Sequence, residues 1–297
     1  MSDRAFASFS VTQHQWSLAH GRVLELGARS VLMGILNVTP DSFSDGGLNF
    51  DPKLAVVAAN KMIAAGAQII DIGGESTRPG AQSIDGKTEI GRVLPVIQAL
   101  AAQGNALLSI DTYRAETAQA AIAAGCHIIN DVWGLQKDDG MAGVVASTGA
   151  GVVIMHSGRE RTKLDDVIDD QKFYLEQSLE IAAEAGIKPS SIVLDPGIGF
   201  AKGMEENLKL LARFEELHQF GLPLLVGTSR KRFLGAITGH ESASDRDRAT
   251  AATSVVARMK GGSLFRVHNV EANVDALKVA DALLATQMAD QAENKGD

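Results

Sequence analysis

Ala106–Asn130 reads ALLSIDTYRAETAQAAIAAGCHIIN. A short apolar run stops at Asp111, the alanine-rich segment Thr117–Ala124 ends at Gly125, and a second apolar run, His127–Ile129, stops at Asn130. Runs of this length with branched residues read as parallel strands buried on both faces. A glycine closing an alanine-rich stretch is a helix C-cap signal. The unit is therefore strand, loop, helix, strand. Working outward, the same punctuation recurs. Val31–Leu36 stops at Asn37, Ile69–Gly74 at Glu75, Gly151–Met155 at His156 and Ile192–Leu194 at Asp195. Leu222–Val226 ends in Gly227-Thr228-Ser229, and Leu264–Phe265 stops at Arg266. Eight such strands with crossover helices predict an α/β chain folded as a (β/α)8 TIM barrel, a fold that needs roughly 250 residues. Catalytic side chains of such barrels sit at the carboxyl ends of the strands, so the stopping residues form one candidate inventory.

Residues 1–30 break the rhythm. Phe9-Ser10-Val11 and Arg22–Leu26 alternate around Leu18-Ala19-His20-Gly21, which predicts an N-terminal β-hairpin extension against one end of the barrel. The barrel is expected over 31–285 and a frayed polar tail over 286–297. Leu54, Val57, Ala58, Met62 and Ala65 mark a helix ending at Gly66, Leu208 to Leu217 another, and Ala249–Met259 a third. Two strand-to-helix loops are long, Val38–Asp51 and Ser76–Lys87, as loops that close over substrates are.

Composition narrows the function. Aromatic residues are only 5%, so the core must be built from Ala, Val, Ile and Leu. The net charge of -8, with scattered Lys and Arg, argues against a nucleic-acid surface. No apolar run approaches the roughly 20 residues of a membrane span, and no signal peptide is apparent. The single cysteine, Cys126, lies among apolar neighbours and suits a reducing, cytoplasmic compartment. A Gly-x-Gly-x-x-Gly fingerprint, a Walker loop and a zinc cluster are all missing.

Each candidate residue also has a structural reading. Asp111 could cap the next helix, Asp195 could serve the Pro196-Gly197 turn, and Asn130-Asp131 could be another cap. His156 reads as structural, and Trp133 and Phe43 serve packing as readily as ligand stacking. Convergence favours function, because strand ends of a barrel share one mouth. Two carboxylates and an amide there suit a planar N–H array. Cations follow the last two strands, Ser229-Arg230-Lys231-Arg232 and Arg266-Val267-His268, where barrels often bind phosphate.

The motifs are long. MGILNVTPDSFSDGG from Met33, GGESTRPGA from Gly73, SIDT from Ser109, LDPGIGFAKG from Leu194, GTSRKRFLG from Gly227 and RVHNV from Arg266 stand in this order. Together with Asn130 and Met155-His156, they resemble the signatures of dihydropteroate synthases over roughly residues 31 to 282. The resemblance implies a folate-pathway transferase, usually a homodimer. Such enzymes condense para-aminobenzoate with (7,8-dihydropterin-6-yl)methyl diphosphate, giving 7,8-dihydropteroate and diphosphate. By motif, Asp111, Asn130, Asp195 and Lys231 match the pterin pocket, Met155 its apolar wall and Arg266 the guanidinium over the ring. Asn37 matches the Mg²⁺ ligand, and Arg266 with His268 the diphosphate site. Thr77, Arg78 and Pro79 match the second mobile loop, Phe43 the first, and Ser229 the benzoate carboxylate region. Of these, Asp111, Lys231, Arg266 and His268 are the expected catalytic set, and Thr77 also falls to the pterin diphosphate.

Departures are local. After Met155-His156 the chain reads Ser-Gly-Arg-Glu-Arg-Thr-Lys instead of the family's frequent Gln-Gly and Pro-rich loop, and Asn269 stands where Asp is common. The first two loops look unaltered, so sulfonamides are expected to compete. A pterin-dependent methyltransferase domain should lack those loops and the Ser-Arg-Lys motif. A non-catalytic pterin-binding paralogue should have lost Asn37, Arg266 or His268.

Overall fold

A computed structural model describes residues 12–39, 51–76 and 83–293, with side chains through 290. Two antiparallel strands come first, β1 (His14–Ser17) and β2 (Val23–Leu26). Eight parallel strands follow: β3 (Val31–Asn37), β4 (Ile69–Gly73), β5 (Leu107–Asp111), β6 (Ile128–Asp131), β7 (Gly151–Met155), β8 (Ile192–Asp195), β9 (Leu225–Val226) and β10 (Leu264–Val267). Their order, β8-β7-β6-β5-β4-β3-β10-β9, is closed by a parallel bridge between Leu194 and Leu224. The helices are α1 (Pro52–Ala64), α2 (Gly86–Gln103), α3 (Ala115–Ala123), α4 (Met141–Thr148), α5 (Val167–Glu184), α6 (Met204–Ala212), α7 (Arg232–Thr238), α8 (Asp247–Met259) and α9 (Val270–Glu293). The chain is thus a (β/α)8 barrel with an N-terminal hairpin.

Local signals explain the boundaries. Asp51, Asp85 and Asp166 accept backbone N–H groups at the starts of α1, α2 and α5. Gly104 and Gly149, at φ 66 and 65, end α2 and α4 in the left-handed conformation that glycine adopts without strain.

Three expectations change. The first hairpin arm is His14–Ser17; Phe9-Ser10-Val11 lies outside the described residues. Trp16 decides the register, because its buried ring docks in the barrel and its Nε1 donates to the Ser191 carbonyl at 2.9 Å. The helix expected from Leu208 to Leu217 ends at Ala212, and a 3-10 turn carries Phe214–Phe220. Arg213, at φ -110 and ψ 22, breaks it so that Phe214 and Leu217 can both be buried. The polar stretch from Thr286 continues α9 to Glu293, since it holds good helix formers and no proline or glycine before Gly296.

Two apolar layers make the core. Outside the barrel, strand residues such as Ile70, Ile72 and Ile110 meet the helices. Inside, Met33, Ile69, Leu107, Val153 and Leu264 fill the amino-terminal half and are covered by Trp16, Leu18 and Leu26. Gly151 leaves room for this plug, because a Cβ there would overlap Leu18 and touch the Trp16 ring. The hairpin seals one end, so polar side chains pointing inward must face the other.

Candidate active site

Alternation along the strands carries a second, polar set of side chains above the apolar layer. Asp111 pairs in register with Gly73 on one side and Asn130 on the other, and Met155 with Asp195. Gly73 keeps the wall open here, since a Cβ on it would stand 3.5 Å from that of Asp111.

Arg266 is the hub. Its Nε donates to Asp71 Oδ2 at 2.6 Å and its terminal nitrogen to Asp111 Oδ2. Asn130 Nδ2 donates to the same Asp71 oxygen at 3.0 Å. The other oxygens, Asp71 Oδ1 and Asp111 Oδ1, are buried without a partner among the described residues. A buried acceptor left open in this way costs free energy unless something supplies a donor.

Burial raises the Asp111 carboxyl above the ordinary carboxylate range; Arg266 opposes that shift while Asp71 and Glu89 add to it. Burial raises Asp195 as well, against the Gly197 N–H that donates to its Oδ1 at 2.7 Å. Lys231 is pushed down to about 8, by burial first and then by the Arg266 charge. Burial also works against charge on Arg266, yet Asp71 and Asp111 outweigh it and hold the guanidinium above its ordinary value. Carboxylates that accept and cations that donate thus share a largely buried floor, where electrostatic interactions are strong.

The structural readings now separate. Asp111 caps nothing: α3 receives its N-terminal acceptor from Asp138, whose Oδ2 takes the Ala115 N–H at 2.8 Å. Asp131 is the turn residue, accepting from Trp133 at 2.9 Å and Leu135 at 2.7 Å. Asp195 organises its turn with one oxygen, while the other lies 3.7 Å from where a Cβ of Gly227 would be. His156 is fully buried, held by Asp170, Arg161 and Lys202, and pushed down to about 4 by that burial. It is a core histidine. Arg230 is committed to Asp247 at 2.7 Å, and Asn269 caps α9 by accepting the Ala272 N–H at 3.0 Å.

On the rim, Ser229 Oγ lies 2.9 Å from His268 Nδ1 and accepts the His268 backbone N–H at 3.0 Å. These two residues were expected at different substrates; the fold joins them. Lys231 Nζ stands 3.9 Å from the centroid of the Phe200 ring. Asn37 ends β3 beside Gly73, half-buried. Phe43, Thr77, Arg78 and Pro79 lie outside the described residues.

Asp71 is the residue that sequence reasoning passed over, because Ile69–Gly74 was counted as an apolar run. Its signal was present: one carboxylate inside a strand buried on both faces, two residues before Gly73. Lys202 was missed too. It is half-buried, donates to the Gly197 carbonyl at 2.9 Å and ties the loop after β8 to His156.

Known proteins resemble this chain along most of its length. The family model described as pterin binding enzyme matches residues 33–268. A dihydropteroate synthase of Streptococcus pyogenes is 45% identical over 256 residues, 86% of this chain and 96% of its own length. The solved structure of Xanthomonas albilineans dihydropteroate synthase with 4-aminobenzoic acid is 41% identical, with a TM-score of 0.86 over 91% of this chain and 99% of that one. That of Yersinia pestis dihydropteroate synthase with a sulfonamide drug is 40% identical, with a TM-score of 0.82 over 90% of this chain and 98% of that one.

Proposed function

This chain belongs to the dihydropteroate synthase family of pterin-binding enzymes, and from that premise we propose how its own residues divide the reaction. The enzyme joins para-aminobenzoate to (7,8-dihydropterin-6-yl)methyl diphosphate. The aryl nitrogen bonds to the methylene carbon, the carbon–oxygen bond to diphosphate breaks, and the nitrogen gives up a proton. The observation that carries this reading is Arg266 bridging Asp71 and Asp111, with a buried acceptor oxygen open on each.

Asp111, Asn130 and Asp195 read the pterin N–H edge, Met155 packs against the ring, and Lys231 completes the pocket. Positive charge developing on the methylene is stabilised by Asp111 and Asp195, and negative charge on the leaving oxygens by Arg266 and His268. The Ser229–His268 pair holds that imidazole in place. By the family's motifs, Ser229 is assigned to the benzoate together with Phe43, Arg78 and Pro79, and Thr77 to the diphosphate. The arylamine is already a nucleophile, so no activated side chain is needed.

Asn37 offers a neutral amide oxygen, the hard donor type that Mg²⁺ accepts. Among the described residues no group of three or more His, Cys, Asp or Glu is placed to hold a metal. That donor set fits a Mg²⁺ that arrives with the diphosphate and keeps its waters, bound through one protein oxygen. When bound, the ion would neutralise charge on the departing diphosphate.

The same reading makes the enzyme a cytoplasmic homodimer. Supporting it are the buried free thiol of Cys126 and the exposed Val256, Val279 and Leu283 on the adjoining helices α8 and α9. Among the described residues no helix is long and apolar enough to cross a membrane. Sulfonamides are expected to compete with para-aminobenzoate. The test is diphosphate release from the pterin diphosphate, Mg²⁺ and para-aminobenzoate, inhibited competitively by a sulfonamide. Absence of release under those conditions would sink the reading.

A further inference from the structure

The loop after β8 carries a half-buried cation, Lys202, to which the reaction gives no task. The loop is clamped to the start of α6 by buried Asn207. Its Oδ1 accepts the Gly199 N–H at 2.6 Å, and its Nδ2 donates to the carbonyls of Lys202 at 3.1 Å and Gly203 at 2.7 Å. Ala201, left-handed at φ 50, turns the chain between them. The Lys202 ammonium is thereby returned to the beginning of its own loop. It donates to the Gly197 carbonyl and to His156 Nδ1, both at 2.9 Å, and more weakly to the Phe200 carbonyl at 3.4 Å. An ammonium has three N–H groups and no acceptor, so the match is one to one and His156 Nδ1 must accept. The single proton of the neutral imidazole is then on Nε2, which lies 3.0 Å from Asp170 Oδ2.

These bonds converge on one catalytic side chain that Lys202 itself is not bonded to. Gly197 is held from both sides: its N–H donates to Asp195 Oδ1 at 2.7 Å, while its carbonyl accepts from Lys202. At φ 61, with a Cβ that would stand 2.0 Å from the His156 carbonyl oxygen, only glycine brings this peptide so close to the end of β7. The His156 N–H donates in turn to the Asp195 carbonyl at 2.8 Å. Lys202 therefore joins the two residues that fix the main chain and the carboxylate of Asp195. Burial raises that carboxyl, and the Gly197 N–H opposes the rise more than the Lys231, Arg266 or Lys202 charges do. Without Lys202 the Gly197 peptide loses its anchor, and the carboxylate loses a fixed donor.

We propose that Lys202 is a positioning residue that acts through Gly197 to hold the Asp195 carboxylate toward the pterin ring. The assignment rests on the reaction proposed above. It is tested with Lys202→Met, Lys202→Arg, Asp195→Ala and the double variant Lys202→Met/Asp195→Ala, by kcat/KM for the pterin diphosphate and by thermal melting. Loss of a charged hydrogen bond predicts a kcat/KM lowered roughly tenfold to a hundredfold in Lys202→Met. Lys202→Arg, which can still donate to the Gly197 carbonyl, should recover part of it. Once Asp195 is truncated, Lys202→Met should cost about twofold or less, because coupled residues are not additive. Should Lys202→Met not fold, Lys202→Gln, with two N–H groups, carries the same comparison. A lysine that only held the fold would lower the melting temperature and leave kcat/KM per folded enzyme unchanged. That result, or the same loss factor with and without the Asp195 carboxylate, would overturn the role. Failure of the wild type to release diphosphate would sink the reaction assignment itself, whereas normal wild-type turnover with an unaltered variant sinks the Lys202 role alone.

Discussion

Burial moves Asp111 above the ordinary carboxylate range and Lys231 down to about 8, for one shared reason: it disfavours the charged form of each. Under the proposed roles, Asp111 must be ionised to accept from the pterin, and Lys231 must be protonated to donate. Activity should therefore rise with pH as the Asp111 carboxyl ionises, above the ordinary carboxylate range. It should fall as Lys231 loses its proton near pH 8. A kcat/KM profile for the pterin diphosphate, flat from pH 5 to 10, would contradict this. Asp111→Asn removes the ionising oxygen and should lower kcat/KM by about a hundredfold or more, the scale of losing one preorganised electrostatic group. Asp71 makes a subtler case. In Asp71→Asn, Arg266 keeps Asp111 but loses half its counter-charge, so we expect a loss of about tenfold or more on the scale of a charged hydrogen bond. That loss should appear without a change in fold, read by far-ultraviolet circular dichroism.

Among the elements, the hairpin is the one whose task is purely structural. It closes the amino-terminal end, so the polar floor above it faces the opposite mouth. Trp16→Ala should cost about 3–5 kcal/mol, the usual range for truncating a fully buried large aromatic. The loss would be read as a lowered denaturant midpoint, with the KM of the remaining folded enzyme unaltered. A changed KM for either substrate would mean that the plug also shapes the site. The strands were legible because each is buried on both faces and so is written in apolar residues with a polar stop. The first hairpin arm was not, because a two-stranded ribbon draws its register from where Trp16 docks. The break at Arg213 was equally hidden, since burying Phe214 and Leu217 together is a demand of the packed neighbours.

At the scale of the whole molecule, the proposed homodimer predicts a mass near twice 31.3 kDa by light scattering. Leu283→Asp, placing a charge on the exposed apolar stripe of α9, should shift the protein toward the monomer; an unchanged mass would move the interface elsewhere. The sequence by itself determined the barrel and the polar residues at or near the carboxyl ends of its strands, although β10 runs through Arg266 to Val267 and β4 ends at Gly73, before Glu75. Those properties are written in local periodicity, and the closure of a parallel sheet turns local order into a common mouth. Only the tertiary structure decided which partner each residue takes. Arg266 and Asp71, almost two hundred positions apart, form one ion pair, and Ser229 and His268 join. The physical reason is that burial and charge pairing depend on distances between side chains. Such distances between residues far apart in the chain exist only once the barrel has closed.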